Sequence, residues 1–273
     1  MPKISIITVN KDNAVGLKRT INSVVNQTYT DYEWIIIDAA SKDESVDLIQ
    51  QHKHHLSYWV SELDNGIYAG MNKGLMRATG EYLLFLNSGD SFVDNKVLQK
   101  IGETSLVADI VLGKVNICSD EQGVIQKDYT IPYLDLTLFS LYLYSMPHQA
   151  SLIKRKLFEE CGLYDENYKI YADWKFFVDV LILKNKTLQH IPITIANYDA
   201  TGISSANTNI NKQCLQREHQ EIFKDLIPER IRKDYEKALQ LYNDIYRIKW
   251  LLKRPLLYKL FRITTALEMK IFK

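Results

Sequence analysis

Three short polar stretches in the first 90 residues each follow an apolar run and carry groups that could bind a ligand. Thr8-Val9-Asn10 ends the run ISIITVN, Asp38 ends EWIIID, and Asn87-Ser88-Gly89-Asp90 follows YLLFL. A carboxylate only accepts hydrogen bonds, so Asp38 would favour a nucleobase with an imino N–H, such as uracil, thymine or guanine. The local alternative is that Ser41 or Asp43 caps the next helix.

Asp90 stands at the tip of a turn that contains a glycine. Magnesium keeps several water ligands and needs only one or two carboxylates in addition to substrate phosphates. Gly89 would let the backbone come close to such a ligand. Asp90 is therefore predicted to anchor a metal–diphosphate, and the alternative is an ordinary Asx-type turn.

The elements that must position these groups alternate between strands and helices. Apolar runs predict strands at 4–9, 32–38, 57–62 and 81–86, and helical periodicity predicts helices around 17–25, 44–56 and 67–78. This alternation is typical of an α/β fold with a parallel sheet and right-handed crossovers. Ligands bind beyond the carboxyl ends of such strands, so we expect all three polar stretches on one rim.

The second half of the chain follows a different pattern. Residues 109–129 suggest a hairpin, 149–162 a strand and a helix, 174–183 an amphipathic helix opened by Asp173, and 186–198 a last strand. Beyond about residue 205 the sequence is entirely helical in character. The stretch 135–146 is predicted to be a core or acceptor-site helix.

Composition narrows the classes of protein that fit. The net charge of the 273 residues is +1, which argues against a nucleic-acid partner. Three scattered cysteines form no metal or disulfide pattern, and neither G-x-G-x-x-G nor a Walker A motif is present. The N-terminus lacks a signal-peptide pattern, and the longest uncharged apolar stretch, 136–146, is too short to span a bilayer. We therefore expect a cytoplasmic protein.

Several segments together resemble glycosyltransferase family 2, the inverting enzymes with the GT-A nucleotide-diphospho-sugar fold. They cover residues 1 to about 205, and their order and spacing make the match specific. The segments are ISIITVN, INSVVNQTY, EWIIIDAASKDES, SELDNGIYAGMNKGLMRATGEYLLFLNSGD, PHQASLIKRKLFEECGLYDE and YADWKFF. The resemblance implies a mostly parallel central sheet flanked by helices, with a helical C-terminal extension.

The resemblance also assigns site residues. Asp173 matches the family's general base, and Asp90 the remaining ligand of the DxD motif for Mn²⁺ or Mg²⁺, with His148 as a candidate second ligand. His148, Gln149 and Trp174 are predicted to face the acceptor. Eight residues are predicted to bind the nucleotide and the donor sugar: Thr8, Asn10, Asp38, Asp64, Asn72, Lys73, Asn87 and Ser88.

Three features of the sequence depart from the family pattern. Asn87 and Gly89 stand where the metal motif usually has aspartate, so the protein would supply few ligands to the metal. Lys11 replaces the tyrosine that stacks on the base. Ala69-Gly70 stands where an aspartate usually precedes MNKG.

The resemblance implies inverting transfer of a sugar, expected from a UDP-sugar, to a saccharide or lipid-linked acceptor in bacterial surface-polysaccharide assembly. Residues 1–205 would form the catalytic domain, with nucleotide-binding and acceptor halves at 1–90 and 91–205, and 206–273 a helical extension. One alternative is a nucleotidyltransferase of the same fold, although TVNKDNAVG lacks the Gly- and Arg-containing loop that it needs. The other is a membrane-recruited scaffold without activity.

The tail is strongly basic. Residues 245–273 contain eight Lys or Arg against the single acid Glu268, and Pro255 divides them into two helical stretches. The second, 256–273, has an apolar arc with basic residues opposite, a pattern typical of a membrane-surface helix. We expect peripheral contact with the cytoplasmic face of an anionic inner membrane. The alternative is docking on the catalytic domain or on a second subunit.

Overall fold

The computed structural model describes residues 4–118, 125–129, 136–202 and 209–253. Nine strands of this part of the chain form one sheet with the order β3-β2-β1-β4-β8-β6-β9-β5, and β7 pairs with β6. The strands are β1 Ile4–Asn10, β2 Tyr32–Asp38, β3 Tyr58–Ser61, β4 Tyr82–Phe85, β5 Ser91–Phe92, β6 Ile110–Cys118, β7 Ile125–Tyr129, β8 Ser151–Lys154 and β9 Leu188–Asp199.

Helices connect and flank the strands. They are α1 Ala14–Val25, α2 Ser45–Gln51, α3 Ile67–Arg77, α4 Val97–Gly102, α5 Leu138–Leu143, α6 Lys156–Cys161, α7 Ala172–Phe177, α8 Asn209–Leu226 and α9 Glu229–Leu252. The helix predicted at 44–56 is shorter, because a 3-10 turn at Lys53–His55 follows α2. The helix predicted at 174–183 is α-helical only to Phe177 and continues as a π-helix over Val178–Leu183.

The first four strands are parallel, which confirms the expectation from their apolar runs. β1 pairs with β2 and with β4, and β2 with β3, all in parallel. Every residue of β1 is buried, as expected for a strand covered on both faces. The register aligns Asn10 with Asp38 and Ile7 with Phe85, so the polar stretches that follow these strands emerge at the same edge.

The other half of the sheet is mixed. β8 runs antiparallel to β4 and to β6, whereas β9 is parallel to β6 and antiparallel to β5. An antiparallel neighbour starts at the edge where the parallel strands end. The residues just before β8, His148 and Gln149, therefore reach the rim on which β1, β2 and β4 end.

Close packing of helices on the sheet fixes this arrangement. The buried face of α1 comprises Gly16, Leu17, Thr20, Ile21 and Val24. In α3, a β-carbon at Gly74 would lie 2.5 Å from the Ile7 side chain on β1. Only glycine allows α3 to approach β1 this closely, and α3 in turn carries Tyr68, Asn72 and Lys73 of the site described below.

Contacts divide the chain into two compact units, residues 1–219 and 220–273. In the second unit α9 exposes several large apolar side chains, among them Leu241, Ile245, Tyr246 and Trp250. Within the described part of the chain, no helix combines the length and apolar character required to cross a membrane. The predicted helix at 256–273 lies outside the described residues.

Candidate active site

Asp38 lies at the centre of the corner formed by the ends of β1, β2 and β3. Its buried carboxylate accepts hydrogen bonds from Asn10 Nδ2 at 2.7 Å and from Ser61 Oγ at 2.6 Å. It also accepts the Ser41 backbone N–H at 2.9 Å and the Ser41 hydroxyl at 2.6 Å. With four donors and no exposed surface, Asp38 holds this corner together rather than presenting a free carboxylate.

The loop after β2 adopts a strained conformation to reach Asp38. Ala40 has φ +54°, in the left-handed region that residues with a β-carbon rarely occupy. This turn brings Ser41 back over the carboxylate. Asp43 accepts the Ser45 and Ala14 backbone N–H groups, so this residue links the starts of α1 and α2 instead of facing a ligand.

Thr8 and Asn10 occupy different depths in the same corner. Thr8 is fully buried, and its Oγ accepts a hydrogen bond from Trp34 Nε1 at 3.0 Å. Asn10 is at the rim, and its Oδ1 is buried without a hydrogen-bond partner in the described part of the chain. Thr8 therefore supports the corner from below, whereas Asn10 retains one buried acceptor atom that makes no hydrogen bond to the described residues.

The predicted donor residues on and near α3 make many protein contacts. The Asn72 amide bonds the backbone N–H and C=O of Tyr164 and the side chain of Glu166. The Lys73 ammonium lies 2.9 Å from Glu62, and Asp64 accepts the Gly66 N–H. Together with Leu63, Asn65, Ala69, Met76, Leu163 and Glu166, these three residues line a cavity of about 350 Å³.

The turn Asn87–Asp90 is anchored to α1. The Thr20 hydroxyl donates to the Asp90 carbonyl at 2.7 Å and accepts the Gly89 N–H at 3.0 Å. Ser88 bonds β1 through its N–H to the Val9 carbonyl and bonds Asn13 through its hydroxyl. The turn is thus held against the end of β1.

Gly89 has φ +106°, and a β-carbon there would lie 2.7 Å from Asp199 Oδ2. The carboxylate of Asp199, at the end of β9, therefore occupies the space that a side chain at position 89 would need. Arg19 Nη1 lies 3.3 Å from both this carboxylate and the Gly89 carbonyl. This carboxylate was not predicted, although a carboxylate at a strand end was the signal that identified Asp38.

Asp90 is buried, and burial raises the pKa of its carboxyl to about 7. The nearby charge of Asp199 also raises this pKa, whereas His148 and hydrogen bonds from the Asp199 N–H and Gln149 oppose the shift. Burial and the charge of Asp199 thus disfavour the ionised form of Asp90, and a nearby positive charge favours it.

Asp173 lies in the first turn of α7 and is 8% exposed. Its Oδ1 accepts hydrogen bonds from Tyr68 Oη and from the Trp174 N–H, both at 2.9 Å. Its Oδ2 contacts His148 Nδ1 at 2.9 Å. The N-cap position of α7 is Tyr171, so Asp173 lies inside the first turn and is not the cap of this helix.

His148 connects Asp173 to the Asn87–Asp90 turn. Its Nε2 lies 3.1 Å from Asn87 Nδ2, while its Nδ1 faces Asp173. Burial lowers the pKa of His148, but the hydrogen bond and charge of Asp173 and the charge of Asp90 outweigh burial and raise it. Both ring nitrogens are engaged, so a metal could bind His148 only if one of these contacts were given up.

The segment before α7 is held from α8. The buried carboxylate of Glu218 accepts the backbone N–H groups of Lys169, Ile170 and Tyr171. Next to it, the His219 ring packs 4.5 Å from that of Trp174. Trp174 is buried and donates to the Leu141 carbonyl, so this predicted acceptor residue belongs to the packing beneath the site.

The structure therefore brings Asp90, Asn87, His148, Gln149 and Asp173 together as one connected group. Tyr68, Asp199 and Glu218 join this group and were missed. No periodicity or motif pointed to Tyr68 or Glu218, because their roles depend on partners 48 to 105 residues away.

These residues supply part of a binding site for the divalent cation that the resemblance implies. In the described ranges no three His, Cys, Asp or Glu side chains are grouped as a metal site. Asp90 does supply one buried carboxylate, and Asn87 Oδ1 is a buried oxygen without a partner among the described residues. Such a donor set fits a cation that brings water and phosphate ligands with it.

Comparisons of sequence show the family of this chain. A model of the family described as Glycosyl transferase family 2 matches residues 4–163. The PGL/p-HBAD biosynthesis glycosyltransferase of Mycobacterium bovis is 30% identical over 226 residues, which cover 79% of this chain and 84% of that protein. An uncharacterized glycosyltransferase of Mycobacterium tuberculosis is 31% identical over 207 residues, covering 75% and 78% of the two chains.

Solved structures share the fold. S. aureus TarS 1-349 in complex with UDP-GlcNAc matches with a TM-score of 0.62 at 17% identity, covering 85% of this chain and 69% of that one. The mannosyltransferase PcManGT from Pyrobaculum calidifontis, in complex with GDP-Man and Mn²⁺, matches with a TM-score of 0.52 at 15% identity, covering 72% and 56%.

Proposed function

The chain belongs to glycosyltransferase family 2 and has the GT-A fold, and from this we propose that it transfers a sugar, with inversion, from a nucleoside-diphosphate sugar to a saccharide or lipid-linked hydroxyl. One observation carries the proposal. Asn87 and His148 connect the Asp90 turn to Asp173 through contacts of 3.1 and 2.9 Å. The residues proposed as diphosphate anchor and proton acceptor are thus linked through one amide group and one imidazole ring.

In the proposed reaction the acceptor oxygen attacks the anomeric carbon opposite the leaving group. The new C–O bond forms while the bond from carbon to the phosphate oxygen breaks, and that electron pair leaves with the nucleoside diphosphate. The hydroxyl proton passes to the Asp173 carboxylate. General base catalysis of this kind contributes about 10²–10⁴-fold in rate.

Asp90, with Asn87 Oδ1 beside it in the turn, would hold Mn²⁺ or Mg²⁺ together with the diphosphate. The bound cation would supply Lewis-acid neutralisation of the leaving phosphate. Asp38, Asn10 and Thr8 would shape the corner for base and ribose, and we propose a UDP-sugar as donor. One consideration supports uridine: the similar TarS structure holds UDP-GlcNAc.

The donor and the metal can be tested by calorimetry and a screen. We expect UDP to bind more tightly with Mn²⁺, and Asp90→Ala to remove that gain. The control is Asp94→Ala, which removes a carboxylate from an exposed ion pair with Lys100. If Mn²⁺ strengthens UDP binding equally in wild type and in Asp90→Ala, the assignment of Asp90 as a metal ligand is wrong.

The donor can be identified by a screen that measures release of nucleoside diphosphate from UDP-, GDP- and TDP-sugars.

The base can be tested in the same assay. Asp173→Asn keeps the shape of the side chain but cannot take up the proton, so turnover should fall by about 10²–10⁴-fold with donor affinity unchanged. Retained turnover would remove Asp173 from the mechanism.

Pyrophosphate release from UTP and a sugar phosphate would indicate the nucleotidyltransferase alternative, and absence of activity towards every donor would favour the scaffold.

We also propose that the protein works at an anionic membrane surface, through residues 245–273 and the adjoining face of α9. The basic excess of this segment and the exposed Leu241, Ile245, Tyr246 and Trp250 support this location. Such a surface combines charge attraction with apolar insertion. A lipid-linked acceptor in surface-polysaccharide assembly would be consistent with it.

A further inference from the structure

The two oxygens of the Asp173 carboxylate are not equivalent. Oδ1 accepts two hydrogen bonds, from Tyr68 Oη and the Trp174 N–H, whereas Oδ2 has only the contact with His148 Nδ1. A carboxylate oxygen accepts about two hydrogen bonds. Oδ1 is therefore saturated, and the remaining lone pair of the group belongs to Oδ2.

We propose that Tyr68 and His148 are positioning residues that hold Asp173 from its two sides and leave Oδ2 as the oxygen that takes the acceptor's proton. This inference rests on the proposed role of Asp173 as the base. It adds which oxygen reacts and which side chains keep that oxygen in place.

Tyr68 is well placed for this role. It is 5% exposed, and its hydroxyl contacts both Asp173 Oδ1 at 2.9 Å and the Ile170 carbonyl at 2.5 Å. Burial and the charge of Asp173 raise the pKa of the phenol, so it stays protonated and remains a donor. The Ile170 N–H is held by Glu218, so the segment that Tyr68 contacts is itself fixed.

The single phenolic proton can satisfy only one of its two acceptors at a time. While Asp173 is ionised, the proton is drawn to the carboxylate. After Asp173 has taken up the acceptor's proton, the phenol can donate to Ile170 instead. Tyr68 thus has a partner in both states of the reaction and need not be displaced.

His148 holds the opposite side. Its Nδ1 faces Asp173 Oδ2 and its Nε2 faces Asn87. Asparagine at position 148 can place an amide N–H donor where Nδ1 stands, and glutamine can place its amide oxygen, an acceptor for Asn87 Nδ2, where Nε2 stands. The two substitutions therefore separate the contact with Asp173 from the contact with Asn87.

The tyrosine test uses Tyr68→Phe with a matched control. Tyr164→Phe makes the same change in a ring 5.6 Å from that of Tyr68, and the Tyr164 hydroxyl is buried with no hydrogen-bond partner in the described residues. Without its anchor the carboxylate can rotate out of line, so Tyr68→Phe should lower kcat for donor hydrolysis by about tenfold to a hundredfold. UDP affinity should not change, and Tyr164→Phe should match wild type.

The histidine test compares His148→Asn, His148→Gln and His148→Ala under the same conditions, with water as the acceptor. We expect His148→Asn to keep kcat within a few-fold of wild type, and His148→Gln to lose about as much as His148→Ala. A higher kcat for His148→Gln than for His148→Asn would overturn the proposal, because His148 would then act through Asn87.

Two further results separate this inference from the proposed function. If Asp173→Asn abolishes turnover while Tyr68→Phe and the three His148 variants equal wild type, the base stands and the positioning roles fall. If wild type hydrolyses no donor, the proposed function falls, and this inference with it. Thermal unfolding gives an activity-independent check, since Tyr68→Phe should lower Tm and Tyr164→Phe should not.

Discussion

At the scale of single residues, the Asn87–Asp90 turn carries one carboxylate of its own and lies against a second carboxylate from another strand. Position 89 lacks a side chain, and Asp199 from β9 fills that space, paired with Arg19. Asp90 remains as the one carboxylate of the turn itself. Asp199 packs closely over Gly89. Glycine is therefore required at position 89 to leave room for the Asp199 carboxylate, as well as for the positive φ of the backbone.

Gly89→Ala tests this contact against Gly162→Ala. Both glycines have positive φ, but a β-carbon at Gly162 would meet nothing within 4 Å. The left-handed backbone should cost each variant about 1–2 kcal/mol in the free energy of unfolding. Gly89→Ala should in addition displace Asp199 and weaken UDP binding, measured by calorimetry. Unchanged UDP affinity in Gly89→Ala would show that Asp199 can move without consequence for the site.

At the scale of elements, a buried carboxylate joins β2 to the turn between α3 and β4. Glu33 accepts the Ser5 hydroxyl from β1, together with the backbone N–H groups of Thr79 and Gly80. Burial alone would raise the pKa of Glu33, but these hydrogen bonds outweigh burial and lower it from its ordinary 4.5. The network thus ties α3, which carries Tyr68, to the sheet.

This network should make stability depend on pH in acid. Because the pKa of folded Glu33 is depressed, its contribution is present above the ordinary value of 4.5 and is lost as pH falls through the folded value. Urea unfolding from pH 7 to pH 3 should show Glu33→Gln less stable at pH 7 by about 1–3 kcal/mol. The variant should also lose less stability in acid than wild type does.

Glu159→Gln is the control for that experiment. Glu159 is exposed and pairs with Arg155 one turn away, and such surface pairs contribute at most about 1 kcal/mol. Its unfolding curve should follow wild type throughout. If the free energy of unfolding of Glu33→Gln depends on pH as that of wild type does, a carboxylate other than Glu33 causes the loss of stability in acid.

At the scale of the whole molecule, the chain separates a catalytic unit from a C-terminal unit with a different surface. Residues 220–273 form the second compact unit, and α9 presents apolar side chains to solvent. A face of this kind on a 24-residue helix, together with the basic excess of 245–273, underlies the proposed attachment to an anionic bilayer.

Vesicle binding tests that attachment. Ile245→Asp with Tyr246→Asp replaces two exposed apolar side chains of α9 with charges, and each apolar side chain removed from the bilayer costs about 1.5–3 kcal/mol. Co-sedimentation with phosphatidylserine vesicles should fall more than tenfold. Gln240→Asp with Asn243→Asp adds the same charge at exposed polar positions of α9 and should reduce binding much less. Equal loss in the two double variants would mean that charge alone, without apolar insertion, governs binding.

The sequence by itself was sufficient to predict the first four strands and the three helices between them. It also predicted the common edge of the sheet at which Thr8-Val9-Asn10, Asp38 and Asn87–Asp90 lie. Strands buried on both faces read as continuous apolar runs, and parallel connection places their carboxyl ends together, so this half follows from local pattern. The family resemblance added Asp173 and His148 as members of the site.

Only the tertiary structure decided how these residues meet. The antiparallel insertion of β8 between β4 and β6 brings His148 to Asp173, β9 delivers Asp199 over Gly89, and α8 supplies Glu218 to the segment before α7. The structure also shows that Asp38 and Trp174 are buried and bonded to neighbouring protein groups. These outcomes depend on contacts between residues far apart in the chain, and the periodicity of a local segment contains no information about its distant partners.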